Sequence, residues 1–341
     1  MKAVRFAEYG GPEVLRVEEA PDPVADAGWA VVSVRACALN HLDLLLRKGV
    51  RAYGTPLPHI PGCDIAGVVK SLGGGNGRFK PGDRVVVAPG LSCGECPACL
   101  SGFDNRCPSF GIVGASIPGG CAEKVAVPVR NLFPLPSPLS FEEAAAFPLT
   151  FLTAWHMLIT RAGLKPGQTV VVTGAGSGIG TAAIQIGKLV GARVIAVSRT
   201  EDKLAKAAEI GADAGLLVGE YIAGGVREET DGRGADVIFE HVGPATFDAS
   251  IKSLAKGGTL VTCGATTGSE AALDLRYTFS RELSVVGSML GTRSELATVV
   301  ELVARGRLKP VIDSTLPLDQ VRAAQERLEA GESFGKIVLV P

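Results

Sequence analysis

The stretch 169-TVVVTGAGSGIGTAAIQIGKLVGA-192 decides how this chain is built. A short apolar, β-branched run reads as a buried strand, and a glycine-rich turn leads straight into a helical pattern from about 179 to 190. A turn of this kind aims unpaired N–H groups and the positive helix end at one point, which suits a pyrophosphate. The literal G-x-G-x-x-G spacing is absent. Gly174, Gly176, Gly178 and Gly180 stand here instead, so the surrounding pattern has to carry the reading, with a plain glycine turn as the alternative.

The pattern around it is regular. Strand-like 193-RVIAVS-198, a helix over 201 to 210, 236-DVIFEHV-242 and 259-TLVTCG-264 follow in order. Short apolar strands alternating with amphipathic helices predict βαβ units and a parallel sheet covered on both faces. Gly191 and Gly211 follow helical segments, where a left-handed residue would end them. The second strand bears on the coenzyme. An NAD site usually places an Asp or Glu there, about 20 residues past the glycines, on the ribose hydroxyls. This strand ends in Ser198, Arg199 and Thr200, which can hydrogen-bond a 2′-phosphate and neutralise it where a carboxylate would repel it. The reading is NADP(H), with a solvated surface arginine as the alternative for Arg199. Glu201 and Asp202 suit the N-terminus of the next helix.

On the N-terminal side the texture differs. Segments 30-AVVSVRACAL-39, 65-IAGVVKSL-72, 84-RVVVAP-89 and 121-CAEKVAVP-128 are short strands broken by Gly and Pro, predicting a mostly β unit such as a partly open barrel. Segment 141-FEEAAAFPLTFLTAWHMLI-159 reads as helix with a break at Pro148. The C-terminal part predicts helices at about 293 to 305 and 319 to 330 and a last strand, 336-KIVLV-340.

Within a Gly/Pro-rich loop stand Cys93, Cys96, Cys99 and Cys107, spaced C-x2-C-x2-C-x7-C. Four thiolates at this range close a tetrahedral shell around a soft divalent ion, above all Zn²⁺, and leave no vertex for water or substrate. Such a site is structural; two disulfides are the alternative. Cys37, Cys63, Cys121 and Cys263 are scattered and read as small buried apolar residues. At 341 residues the chain is long for one core, so two domains are expected. A net charge of -1 with dispersed Lys and Arg argues against nucleic-acid or anionic-membrane partners. The N-terminus lacks a signal-peptide core and no run reaches membrane-spanning length, so a reducing cytoplasm is expected.

With the zinc loop, the nucleotide turn and this order, the chain resembles the zinc-type medium-chain dehydrogenase/reductase family, between its alcohol dehydrogenases and quinone reductases. Stretches 36-ACALNHLDL-44, 58-PHIPGCDIAGVV-69, 81-PGDRVVV-87, 120-GCAEKVAVP-128, 256-KGGTLVTCGA-265, 287-GSMLGTRSEL-296 and 334-FGKIVLV-340 carry the resemblance beside the two specific motifs. It implies an α/β fold: a GroES-like, mostly-β catalytic domain over 1–130 with the structural-zinc lobe at about 90–110, a Rossmann domain with a doubly wound parallel sheet over 131–282, and a return to the catalytic domain over 283–341. The coenzyme site is expected to comprise Ser177, Gly178, Ile179, Gly180, Ser198, Arg199, Thr200, Lys203, Gly264, Ala265 and Lys336.

The catalytic zinc of the alcohol dehydrogenases is poorly matched. By resemblance, Asn40 stands at the first ligand position, Cys63 of 62-GCD-64 at the second, and Leu149 at the third if Thr153 is the coenzyme-contacting threonine four residues on. The hydroxyl-relay position is Leu42. Asn is a poor zinc ligand and Leu is none, so Cys63 and Asp64 remain as the remnant of such a site, and an ion there would need a rearranged shell with His41 or His59. The resemblance therefore implies zinc-independent hydride transfer between the nicotinamide and a small apolar alcohol or ketone, with Asn40, His41 and Thr153 as the polar groups near the chemistry and Asp43 as an organiser. Quinone or enone reduction is the alternative, because a delocalised charge needs a Lewis acid less. An NADPH-binding sensor without turnover is the alternative from another class. Segment 283-LSVVGSML-290 resembles the strand that joins two copies in this family, which implies a homodimer or a tetramer of dimers.

Overall fold

A computed structural model of the chain describes residues 1–50, 54–74, 77–135, 138–219 and 222–341. The chain divides into two compact units. The first comprises Met1–Leu149, Thr292–Gly306 and Pro310–Pro341, and the second Thr150–Gly291 with Arg307–Lys309. These boundaries differ from the expected 130/131 and 282/283. The strand Leu132–Pro134 pairs antiparallel with Arg84–Val87, which keeps residues past 131 in the first unit. The strand Ser284–Gly287 pairs parallel with Leu254–Thr262, which keeps it in the second.

In the first unit the sheet runs in the order Ile312–Pro317, Lys336–Val340, Trp29–Ala38, Asp64–Leu72, Arg84–Val87, Leu132–Pro134, and Lys124–Pro128 also pairs with Trp29–Ala38. All of these pairs are antiparallel except Ile312–Pro317 with Lys336–Val340. The core gathers the inward residues of these strands, among them Val32, Val34, Ile65, Val85, Val125 and Leu339. Each fully buried aliphatic side chain of this kind contributes about 1.5–3 kcal/mol. Cys37, Cys63 and Cys121 lie in this core, as expected of small apolar residues, whereas Cys263 of the second unit is half-buried.

In the second unit six parallel strands stand in the order Ala214–Leu217, Arg193–Ser198, Thr169–Val172, Ala235–Glu240, Leu254–Thr262, Ser284–Gly287. Numbered by sequence this is 3-2-1-4-5-6, the doubly wound order, whose direction reverses between Thr169–Val172 and Ala235–Glu240. The segment around Pro148 is broken as expected: helix Phe141–Ala145 ends before it and helix Pro148–Trp155 begins on it. A π-helical stretch, His156–Arg161, continues from there. Among the described residues no helix is long and apolar enough to cross a membrane.

Candidate functional site

In the zinc loop the cysteine sulfurs converge. Cys96 Sγ lies 3.5 Å from Cys99 Sγ, Cys107 Sγ 3.6 Å from Cys93 Sγ, and Cys93 Sγ 3.9 Å from Cys99 Sγ. All four lie within 4.8 Å of one another. A tetrahedral shell with Zn–S bonds of about 2.3 Å has edges of about 3.8 Å, so the spacing suits one ion. The Glu95 and Cys96 amides point at the Cys93 sulfur and draw its pKa down, while the neighbouring thiols push Cys96 up. The lobe is tied down by Arg130, which donates to the Cys93 carbonyl at 2.7 Å. Asp104 also accepts from the Arg293 amide at 3.1 Å.

Elsewhere in the first unit, five residues from three segments distant in sequence meet in a buried polar cluster. Asn40 caps the helix His41–Arg47 and forms a capping box with Asp43, whose carboxylate accepts from the Asn40 amide at 2.8 Å. The other Asp43 oxygen accepts from the Gly62 amide at 3.0 Å. Asn40 Nδ2 donates to Asp64 at 2.9 Å and to Cys63 Sγ at 3.3 Å, while its Oδ1 accepts from Lys336 Nζ at 2.6 Å. Lys336 also donates to Asp64 at 2.9 Å, and the second Asp64 oxygen accepts from the Leu149 amide at 2.7 Å. Asp64 is fully buried and Lys336 is 4% exposed. Removing one member of such an ion pair strands a buried charge and costs about 3–5 kcal/mol.

Burial pushes Asp43 up to about 6, against the pull of the Asn40 amide and Lys336. Burial and two adjacent carboxylates hold the Cys63 thiol well above its ordinary range, so it stays protonated. His41 occupies the exposed first turn of its helix, and His59 is buried with Nε2 2.8 Å from the Gly114 carbonyl. The rearranged shell of Cys63 and Asp64 with His41 or His59 is thus not assembled. Among the described residues the four cysteines of the loop are the one group of three or more His, Cys, Asp or Glu side chains arranged to hold an ion.

In the second unit, Ser177 caps the helix Gly178–Val190, its Oγ accepting from the Gly180 amide at 3.0 Å. Gly174 sits at φ +57°, and a Cβ on Gly180 would lie 2.4 Å from the Gly174 carbonyl, so the turn closes only without side chains there. Ile179 is the second residue of that helix. At the end of the neighbouring strand Ser198 is buried, and Arg199 just beyond it is exposed. Thr200 caps the helix Glu201–Glu209 through the Lys203 amide at 3.4 Å. Gly264 and Ala265 follow the strand Leu254–Thr262, and a Cβ on Gly264 would lie 2.7 Å from the His241 carbonyl. Thr153 is buried in the helix Pro148–Trp155.

Two groups escaped sequence reasoning. His241, at the end of the strand beyond the reversal point, places Nε2 2.9 Å from the Thr173 carbonyl and 3.4 Å from Ser177 Oγ, against the glycine turn. Burial lowers its pKa, so it is neutral at pH 7. Glu240, fully buried, accepts from the Val242 and Gly243 amides and from the Thr246 and Ser250 hydroxyls, which pins the following loop. Strand position marked the place, but which way these side chains face was not readable. Lys336, expected at the coenzyme, gives its ammonium to Asn40 and Asp64.

The chain, with a glycine turn at the reversal point of a 3-2-1-4-5-6 sheet in one unit and a four-thiolate lobe in the other, matches two family models. Residues 26–137 match the alcohol dehydrogenase GroES-like domain and residues 178–305 the zinc-binding dehydrogenase domain. The chain belongs to the zinc-type medium-chain dehydrogenase/reductase family. It is 33% identical to an alcohol dehydrogenase of Geobacillus stearothermophilus and 31% identical to an acryloyl-coenzyme A reductase of Metallosphaera sedula, with 99% of each chain covered in both cases. A crystal structure described as an NAD-dependent alcohol dehydrogenase superposes with a TM-score of 0.97 at 46% identity over the whole of both chains. As a medium-chain dehydrogenase/reductase, the protein is an oxidoreductase that uses a nicotinamide coenzyme and holds a structural zinc on its four cysteines.

Proposed function

We propose that the protein transfers hydride between NADP(H) and a small apolar alcohol or ketone, in a site that works without a catalytic zinc. The observation that carries the proposal is the state of Asn40. Its carbonyl accepts from Lys336 and its amide donates to Asp64 and Cys63, so the side chain at the first ligand position is committed to hydrogen bonds at both ends. Bound at the glycine turn, the coenzyme supplies or accepts the hydride. Ser177 and the helix N-terminus fit its pyrophosphate, and Ser198 and Arg199 fit a 2′-phosphate. Negative charge developing on the substrate oxygen falls to hydrogen-bond donors, for which His41 and Thr153 are the candidates, the Asn40 amide being already engaged by Asp64 and Cys63. His41, exposed on its helix, can exchange a proton with water.

A second reading, reduction of an enone, quinone or enoyl thioester, is favoured by the same commitment of every donor around Asn40, because a delocalised charge needs no Lewis acid. The similarity to an acryloyl-coenzyme A reductase supports it as well. NADPH oxidation with a saturated cyclic ketone and with its α,β-unsaturated analogue separates the two. Alcohol formed from the saturated ketone supports the first reading, and turnover of the enone alone supports the second. Coenzyme binding without turnover of either, across broad panels, would leave a sensor. Because the crystallised relative is named NAD-dependent, the same assay run with NADH decides the coenzyme. We also assign the protein to the reducing cytoplasm and to a dimer or tetramer.

A further inference from the structure

The polar cluster of the first unit contains the atoms from which a cation site could be made: both Asp64 oxygens, both Asp43 oxygens, Asn40 Oδ1 and Cys63 Sγ. Each of them faces a hydrogen-bond donor. Asp64 receives Lys336, Asn40 and the Leu149 amide; Asp43 receives the amides of Asn40 and Gly62; Asn40 Oδ1 receives Lys336; Cys63 Sγ receives Asn40 Nδ2. Buried carboxylates need a cation, and here the cation is covalently part of the chain. Lys336 begins the strand Lys336–Val340, which pairs with Trp29–Ala38, and that pairing brings its ammonium to Asn40, just beyond the end of the neighbouring strand.

We propose that Lys336 is the built-in cation of this site: its ammonium occupies the charge position between Asn40 and Asp64, orients the Asn40 amide, and closes the cluster to divalent metal. This rests on the zinc-free reading of the site given above. Lys336 is on this account a positioning residue. It fixes Asn40 with Oδ1 toward itself and Nδ2 toward Cys63 and Asp64, and it satisfies the carboxylate that would otherwise draw an ion. On the zinc-free reading, residue identity at the ligand positions is then only half of what keeps metal out. The other half is a lysine some 270 residues further along the chain.

The test is a metal count. Wild-type protein equilibrated with excess Zn²⁺ or Co²⁺ and then dialysed should hold one metal per chain, on the four cysteines. Lys336→Ala should hold two, and the second Co²⁺ should add the near-ultraviolet absorption of a cobalt–thiolate bond from Cys63. The double variant Asp64→Asn/Lys336→Met, which removes the carboxylate with the cation, should return to one. Asn40→Cys, which adds a sulfur donor but keeps Lys336, should also hold one, and it provides the test if loss of the lysine prevents folding. Two metals in the wild type or in Asn40→Cys, or one in folded Lys336→Ala, would overturn the inference. The count is independent of turnover. Loss of the hydride-transfer reading would leave it standing, and a second metal in the wild type would remove the zinc-free site while leaving hydride transfer intact.

Discussion

The surroundings of Asp43 alter its chemistry. Its folded pKa, about 6, lies above the ordinary carboxylate value of 3.8, so between these values the folded chain holds a proton that the unfolded chain has lost. Its contribution to stability is therefore full below about pH 4, declines as pH rises to about 6 and is flat above, by about 3 kcal/mol at most. Urea unfolding of wild type and Asp43→Asn from pH 4 to 7 should show the difference in stability moving against the wild type across that window. A constant difference would mean that Asp43 titrates alike in the folded and unfolded chain. Arg199 makes the other prediction at this scale. If it pairs with a 2′-phosphate, Arg199→Asp should weaken NADPH by about 10–100-fold, the worth of one charged hydrogen bond. NADH should be weakened far less. Equal losses for both coenzymes would return Arg199 to the solvent-facing reading.

The strand–turn–helix around the glycines works as one element, with its dimensions set by missing side chains. Gly180 lets the first helical turn pack on the Gly174 carbonyl and the Ala175 backbone. Neither of these neighbours is the end of a flexible side chain, so Gly180→Ala has no cheap relaxation. We expect a loss of about 1–3 kcal/mol in thermal unfolding together with at least tenfold weaker NADPH binding by fluorescence titration. Unchanged binding in a folded variant would show that the turn does not touch the coenzyme. The lone His241 imidazole lies against the same turn, which ties the strand beyond the reversal point to the one before it.

For the molecule as a whole, the second unit ends its sheet on Ser284–Gly287. Val285 on that strand is 41% exposed and Met289 just beyond it 49%. An apolar edge strand invites another edge. A second copy paired across a two-fold axis would cover it, and Val285→Lys should then halve the mass measured by light scattering after gel filtration. Wild-type protein at monomer mass would refute the pairing.

Local pattern was sufficient for the elements and for one of the sites. Apolar runs of fixed period, glycines after helices and four cysteines within fifteen residues depend on neighbours in the chain, so alternating βαβ units, the mostly β unit and the zinc lobe were readable along it, whereas the doubly wound arrangement came from the resemblance and the strand order from the fold. The Asn40 cluster was not, because it joins positions 40, 43, 63, 64 and 336 through strand pairing, and no local spacing encodes that encounter. By resemblance, the lysine at the head of the last apolar strand reads as a coenzyme contact. Only the tertiary structure buries it beside Asp64. Likewise only strand pairing assigned 132–134 to the first unit and 284–287 to the second, since a sheet's membership is set by hydrogen bonds between segments distant in sequence.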